Sequence, residues 1–375
     1  MPSSTSSSST PAYTPGYSAY SAAPLGAPPM PERPVPRMHF GRVAAAALAT
    51  LALALGAWEY HWRSFGAVPS SVNSDGLWAM QRRTASAAAR AGATVLIGSS
   101  RTLSDVQLAV WERLDGRRPV QLALEGTSPM GALEGLAADS TFTGRVLVGV
   151  TPGLFFSGFA YRGQAIAYAS RETPSQRAGQ RLSMWLIEPF WAFVDPDFAL
   201  FRVLERQPWP QRAGAEYRGT PRKLFVGGAD RNARLWAKVE RDSAYRATVQ
   251  RTWARNFRPP PPPSTPEGRE RLARREAQIA RAAAAVATLR ARGAEVIFVR
   301  HPSAGPFLAH ERLAEPRAET WDVLLARTGA RGIHFEDHPE LQGYSLPEWS
   351  HMTGADADRY TAALYAIVGA RSGTE

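Results

Sequence analysis

The sequence predicts an α/β fold in which a parallel sheet is flanked by helices. Three observations carry that expectation. Short apolar runs, Thr94–Ile97, Pro119–Leu124 and Arg145–Val150, stop at Gly, Ser, Thr or Pro, as buried parallel strands do. Segments of helical period stand between them, opened by cap residues and closed by glycine. The alternation resumes after residue 265, where Glu295–Val299 and Ile333–Phe335 supply two more runs. Strand and helix in such succession argue for right-handed crossovers within one sheet.

The chain opens on 37 residues of mainly Ser, Pro, Tyr and Ala without apolar periodicity, expected to be a disordered tail. Residues 38–62 read as one membrane signal-anchor helix. Val43 to Trp58 carries no charge and at ~1.5 Å per residue would reach roughly 24 Å, against a hydrocarbon core of ~30 Å. Arg42 can snorkel at one end, while Trp58, Tyr60 and Trp62 form an aromatic belt at the other. The small residues at 54–57 also suit a signal-peptide cut, but the long preceding segment and the belt favour a retained anchor. A buried helix of a soluble protein fits less well with the tail in front of it. Arg33, Arg37 and Arg42 precede the span and only Arg63 closely follows. The positive-inside rule then leaves the N-terminus cytosolic and sends the main domain across the cytoplasmic membrane, to the periplasmic side.

Residues 70–375 are expected to form one large domain, since 44% hydrophobic content can bury a full core. A helix over Ser71–Ala91 stops at Gly92. Ser104 and Gln107 have capping-box spacing for a helix through Leu114. Another helix covers Met130–Ala138. The pattern breaks after Thr151-Pro152-Gly153. Residues 154–264 read as a helical insertion with helices at Met184–Phe193 and Asn232–Tyr245, serving as a lid, a wall or a membrane-facing patch. The insertion ends in the proline connector Pro259–Pro263. Thr265 and Pro266 then open a helix that runs to Arg292 and stops at Gly293, and later helices cover Glu319–Arg327 and Ala355–Val368. Five parallel strands in a flavodoxin-like order follow from this succession.

Composition excludes several chemistries. The chain has no cysteine, so disulfides, thiolate metal sites and cysteine nucleophiles are ruled out. A formal charge of +11 suits nucleic acid, anionic lipid or an anionic polymer, yet no nucleic-acid-binding module is present. His334 and His338 stand four apart, but at a strand end and without the His-Glu-x-x-His order of a zinc protease. Gly126-Thr127-Ser128-Pro129 is not a phosphate loop. Neither a metal nor a cofactor is expected.

The chemistry concentrates at two strand-end segments. Gly98-Ser99-Ser100-Arg101 ends the first strand, on the rim where open α/β sheets bind ligands. Ser100 there is either a nucleophile or simply a helix cap. Glu348-Trp349-Ser350-His351 precedes the last helix on the same rim. A carboxylate three residues before a histidine can fix its tautomer, although taken alone this histidine reads better as a helix-entry residue making one local hydrogen bond. Together Ser100, His351 and Glu348 have the residue types of a nucleophile, base and orienter. Arg300 lies near the rim as well, as an anion-holding residue or half of a structural ion pair.

These segments resemble the SGNH (GDSL-like) hydrolase superfamily, in particular its membrane-anchored exported group similar to alginate O-acetylation and D-alanyl-lipoteichoic acid biosynthesis proteins. Gly98-Ser99-Ser100 matches the Gly-Asp-Ser block with Ser for Asp, and Glu348 to His351 matches Asp-x-x-His with Glu for Asp. The resemblance implies an esterase or O-acyltransferase with Ser100, His351 and Glu348 as catalytic residues and the N–H groups of Ser100 and Gly126 as oxyanion donors. It further implies an acyl-bearing cell-envelope polysaccharide or lipid as substrate and a membrane-bound acyltransferase as candidate partner. The family's Gly-x-Asn-Asp block has no counterpart in Val150-Thr151-Pro152-Gly153. Thr151 and Arg101 are the candidates to replace its asparagine, and with Arg300 they complete the candidate substrate-binding set. A non-catalytic relative that binds glycan or an acyltransferase is the alternative.

Overall fold

Side chains alternate between the two faces of the central strands, and that alternation divides the core in two. The computed structural model describes residues 39–207 and 219–370, in two units divided between Leu53 and Ala54; the tail of residues 1–37 lies outside the described residues. The chain begins with α1 (Phe40–Phe65), α2 (Asp75–Arg90), β1 (Val95–Ile97), α3 (Ser100–Asp105), α4 (Leu108–Asp115), β2 (Val120–Gln121), α5 (Met130–Ala138) and β3 (Arg145–Gly149). The insertion carries α6 (Pro152–Phe155), α7 (Gln164–Arg171), α8 (Pro174–Leu186), α9 (Leu200–Glu205), β4 (Phe225–Gly227), β5 (Ala233–Leu235), α10 (Ala237–Arg241) and α11 (Ser243–Ala254). The remainder is α12 (Pro266–Ala291), β6 (Glu295–Arg300), α13 (Gly305–Ala314), α14 (Trp321–Thr328), β7 (Arg331–His334) and α15 (Gly354–Gly369).

The sheet is parallel and five-stranded, in the order β2-β1-β3-β6-β7. Val95 pairs with Val120 on one side and Val146 on the other, Val146 with Val296, and Val299 with Ile333. Val95, Ile97, Val146, Val148, Val296 and Phe298 point to one face, where they pack with Trp78, Leu133, Val286 and Leu324 of α2, α5, α12 and α14. Leu96, Leu147, Ile297 and Val299 point to the other, against Trp111 of α4 and Tyr360 and Leu364 of α15. Both faces are covered, which is why the strands read as unbroken apolar runs.

Among the described residues α1 is the helix long and apolar enough to cross a membrane. Its last two turns do something else. Trp58, Trp62 and Phe65 join Phe198, Val203, Trp236, Val239 and Val249 in a third apolar core, built by the insertion. The domain therefore starts before residue 70.

Three local expectations are corrected, and one helix is new. Ser104 and Gln107 form no capping box: Ser104 Oγ donates to Ser100 O, and the Gln107 amide donates to Ser104 O and Ala233 O. The helix breaks there, because Gln107 N–H donates instead to Thr361 Oγ1 of α15 at 2.8 Å. Helix α8 ends at Leu186 rather than continuing to Phe193, since Pro189 follows. The stretch from Asn232 is no helix: β4 and β5 form an antiparallel hairpin before α10 begins. Finally, α13 has no counterpart in the sequence reading; its N-cap is Ala304, with no side-chain cap to announce it.

Two glycines let α3 approach the sheet. A Cβ on Gly98 would meet Thr102 Oγ1 at 2.1 Å, and one on Gly149 would meet it at 1.8 Å. Thr102 thus fills the space that two neighbouring strands leave open, and it fixes how the start of α3 sits beyond β1. Gly149→Ala is expected to cost about 1–3 kcal/mol through overpacking. Combined with Thr102→Ala, which removes the clashing hydroxyl, it should cost less than the sum of the two single losses; equilibrium denaturation checks this, and simple additivity would refute the packing argument.

Candidate active site

Ser100 lies just past β1 as the first residue of α3. The order of the sheet sends the chain from β1 to β2 on one side, while β3 flanks the other, so the carboxyl end of β1 is a topological switch point. The loop that follows β7 returns to the same place. His351 Nε2 is 2.8 Å from Ser100 Oγ, and His351 Nδ1 is 2.8 Å from Glu348 Oε1. His351 and Glu348 are fully buried, whereas Ser100 is partly exposed. With Glu348 ionised, Nδ1 donates to it and Nε2 is left to accept the serine proton.

Glu348 is held by four donors. Oε1 accepts from the His351 ring, from His351 N at 2.5 Å and from Ser350 N at 3.3 Å, and Oε2 accepts from the Trp253 indole N–H. Burial pushes this carboxyl up, but the His351 charge and these donors outweigh it and hold the group below its ordinary value. The loop curls tightly enough for this because Trp349 adopts φ +75, a left-handed conformation that costs a non-glycine residue on the order of 1–2 kcal/mol. Two hydrogen bonds fix it, Trp349 N–H to Leu346 O and Ala304 N–H to Trp349 O, both at 2.9 Å.

The insertion supplies two walls of the site that the sequence reading did not identify. The Phe225 ring meets His351 edge-on with centroids 4.8 Å apart, and Trp253 stands 6.3 Å from His351 while bonding Glu348. Neither belongs to a motif. Their only trace in the sequence is the aromatic richness of residues 154–256. Asp105 was missed too, although it stands five residues past Ser100 on α3. Its Oδ1 accepts from Met352 N, the residue after the histidine, at 3.1 Å and from Ser104 Oγ at 2.8 Å, and its Oδ2 is buried without a partner. Burial raises its pKa to about 6 against the opposing pull of His351, the two donors and Arg101.

Gly126 occupies a turn after β2 with φ +60, where an added Cβ would lie 3.3 Å from that of Tyr161. Tyr161 N–H donates to Gly126 O at 3.2 Å, and Thr127 bridges Ala160, so the start of the insertion fixes this turn. Thr151 is the N-cap residue of α6 and makes no side-chain capping bond there.

Arg101 and Arg300 are corrected as substrate-binding candidates. Both are buried against one carboxylate: Glu311 lies 2.9 Å from Arg101 Nη2 and 2.6 Å from Arg300 Nη2 and also accepts from Ser303 Oγ. Arg101 additionally donates to Ser350 Oγ at 3.2 Å and lies over the Phe307 ring, 5.0 Å from its centroid. Their charge is spent inside the protein and braces the histidine loop. His301 is equally enclosed, between Thr102 Oγ1 and the Tyr360 hydroxyl, and burial followed by Arg101 and Arg300 lowers it to about 3. His334 packs between Trp321 and Phe335. Among the described residues no cluster of three or more His, Asp or Glu is arranged to hold a metal ion.

No family model matches the chain, and no curated protein or solved structure matches it.

The Asp105 environment has a measurable consequence. Between about pH 4 and 6 the folded state keeps a proton on Asp105 that the unfolded chain has released, so raising the pH through that window costs stability. At 1.36 kcal/mol per unit the loss is ~3 kcal/mol. Asp105→Asn should lack this slope, so the variant gains on the wild type as pH rises from 4 to 7 in denaturation curves. Parallel curves for the two proteins would refute the assignment.

Proposed function

We propose that this chain is a membrane-anchored serine esterase or O-acyltransferase of the SGNH type, with a flavodoxin-like sheet and a main domain on the periplasmic side of the cytoplasmic membrane. The observation that carries the reading is the unbroken chain Ser100 Oγ to His351 Nε2 and His351 Nδ1 to Glu348 Oε1, each link 2.8 Å. A strand-end serine is common and a loop histidine is common. A buried histidine bonded on one nitrogen to a satisfied carboxylate and on the other to a partly exposed hydroxyl is what nucleophilic acyl transfer requires.

In that reaction Ser100 Oγ attacks the acyl carbonyl carbon as His351 Nε2 takes its proton. The tetrahedral intermediate collapses when the alcohol oxygen leaves with the proton returned from His351, and the acyl group stays on Ser100 as an ester. Water, or a hydroxyl of an acceptor, then repeats the sequence in reverse. Glu348 keeps the imidazole in the productive tautomer and stabilises its charge. The N–H of Ser100, in the unpaired first turn of α3, and that of Gly126 are the proposed oxyanion donors. The substrate class, an acyl group on a cell-envelope polysaccharide or lipid, is the one that the resemblance to the SGNH superfamily implies for an anchored chain.

A non-catalytic scaffold that binds glycan or a membrane acyltransferase is the second reading, favoured by one observation. After β3 the chain reads Thr151-Pro152-Gly153, with no asparagine to donate to an oxyanion, and losing such a donor typically costs ~10²–10³ in turnover.

A fluorophosphonate probe on the full-length protein separates the two. Wild type should label, Ser100→Ala should not, and Glu348→Gln should label slower by on the order of 10³–10⁴. Equal labelling of wild type and Ser100→Ala would sink the enzyme reading, and no labelling of either would favour the scaffold.

A further inference from the structure

The insertion exposes an unusual run of large apolar side chains. Leu182, Trp185, Leu186, Ile187, Phe190 and Trp191 are all exposed along and just after α8, with Trp185 at 73% and Phe190 at 60%. A second group stands on α9, where Leu200, Phe201 and Leu204 are exposed and Phe201 reaches 77%. Single exposed apolar residues need no explanation, but contiguous groups of this size do. Arg177 and Arg181 flank the first group on α8, giving the mixture of aromatic and basic residues that suits a lipid headgroup surface.

Their place in the chain decides what covers them. Both groups border the segment that holds the end of α1. The Glu59 carboxylate accepts from Ala192 N at 2.9 Å and Phe193 N at 3.1 Å, Arg63 donates to Phe190 O at 2.9 Å, and the Trp58 indole donates to Phe198 O at 3.2 Å. Glu59 and Arg63 are two and six residues past Ala57, the last residue of the uncharged run before the belt. At ~1.5 Å per residue they stand about 3 and 9 Å further along the helix. The headgroup zone on each side of a bilayer is roughly 5–8 Å deep. A bilayer entered at Ala57 therefore has Ala192 and Phe193, held by Glu59, at the level of its headgroups, and Phe190, held by Arg63, at their outer edge.

We infer that the exposed faces of α8, the 187–191 segment and α9 dock on the lipid bilayer as a monotopic patch beside the anchor. This inference rests on reading α1 as a membrane span. The patch then serves as a second membrane attachment, in which Trp185, Phe190, Trp191 and Phe201 insert among the headgroups.

The absence of cysteine makes the test clean, because one introduced thiol is a unique labelling site. Full-length Leu51→Cys, Trp185→Cys, Phe201→Cys and Leu313→Cys are spin-labelled in phosphatidylcholine–phosphatidylglycerol nanodiscs. Collision with oxygen is compared with collision with a water-soluble nickel chelate. Leu51 reports the span, and Leu313, exposed on α13, reports the aqueous surface. Labels at 185 and 201 are expected to favour oxygen several-fold over the Leu313 label. If either behaves like the Leu313 label while the Leu51 label sits in lipid, the docking inference falls and the anchor stands. An aqueous Leu51 label overturns the anchor reading and the inference with it.

Discussion

The carboxylate of Glu348 is the constraint on which the rest of the site depends. It is buried, and an unpaired buried carboxylate is among the most costly groups a protein can hold. Every donor that satisfies it comes from a part of the chain that must be in place for His351 to face Ser100. Two are backbone N–H groups of its own loop, one is the imidazole, and one is the Trp253 indole from α11. Satisfying the charge and building the site are the same event. The insertion is therefore no accessory, because without α11 one carboxylate oxygen would lose its indole donor.

Around this centre the charged groups are arranged to stiffen rather than to bind. Arg101 and Arg300 share Glu311, and Arg101 reaches on to Ser350 inside the histidine loop. Removing Glu311 would strand both buried guanidiniums, which is worse than never having had the pairs. Asp105 ties the other side, linking the end of α3 to Met352. Helix α3 and the histidine loop are thus clamped to each other from two directions, with the Ser100–His351 bond between the clamps.

Much of this was legible in the sequence. Strands announce themselves when both faces are buried, so Val95–Ile97 and Arg145–Gly149 fall inside the predicted runs. The Thr265 cap is equally plain, its Oγ1 accepting from Gly268 N at 3.1 Å. Ser100, Glu348 and His351 are legible as types at strand ends, although their meeting is a fact of three dimensions. What was illegible has physical causes. An arginine in a sequence does not show its counter-charge, and Glu311 lies on α13, a helix without a side-chain cap. Trp253 and Phe225 contribute by packing from a segment with no periodicity tied to the sheet. The Ser104–Gln107 spacing misled because Thr361, far along the chain, competes successfully for the Gln107 backbone N–H.

The third apolar core changes what it means to cut this protein. Trp58, Trp62 and Phe65 stand at the end of a long apolar helix, yet Trp62 is buried in the domain and Trp58 and Phe65 pack against the same core. A protease acting at the small residues before Trp58 would release a unit with that core whole. One acting at Arg63, only a turn further, would leave Trp62 on the wrong fragment and open a hole beneath Phe198 and Trp236. The boundary between the apolar helix and the domain is drawn by packing, several residues upstream of where hydropathy alone would draw it.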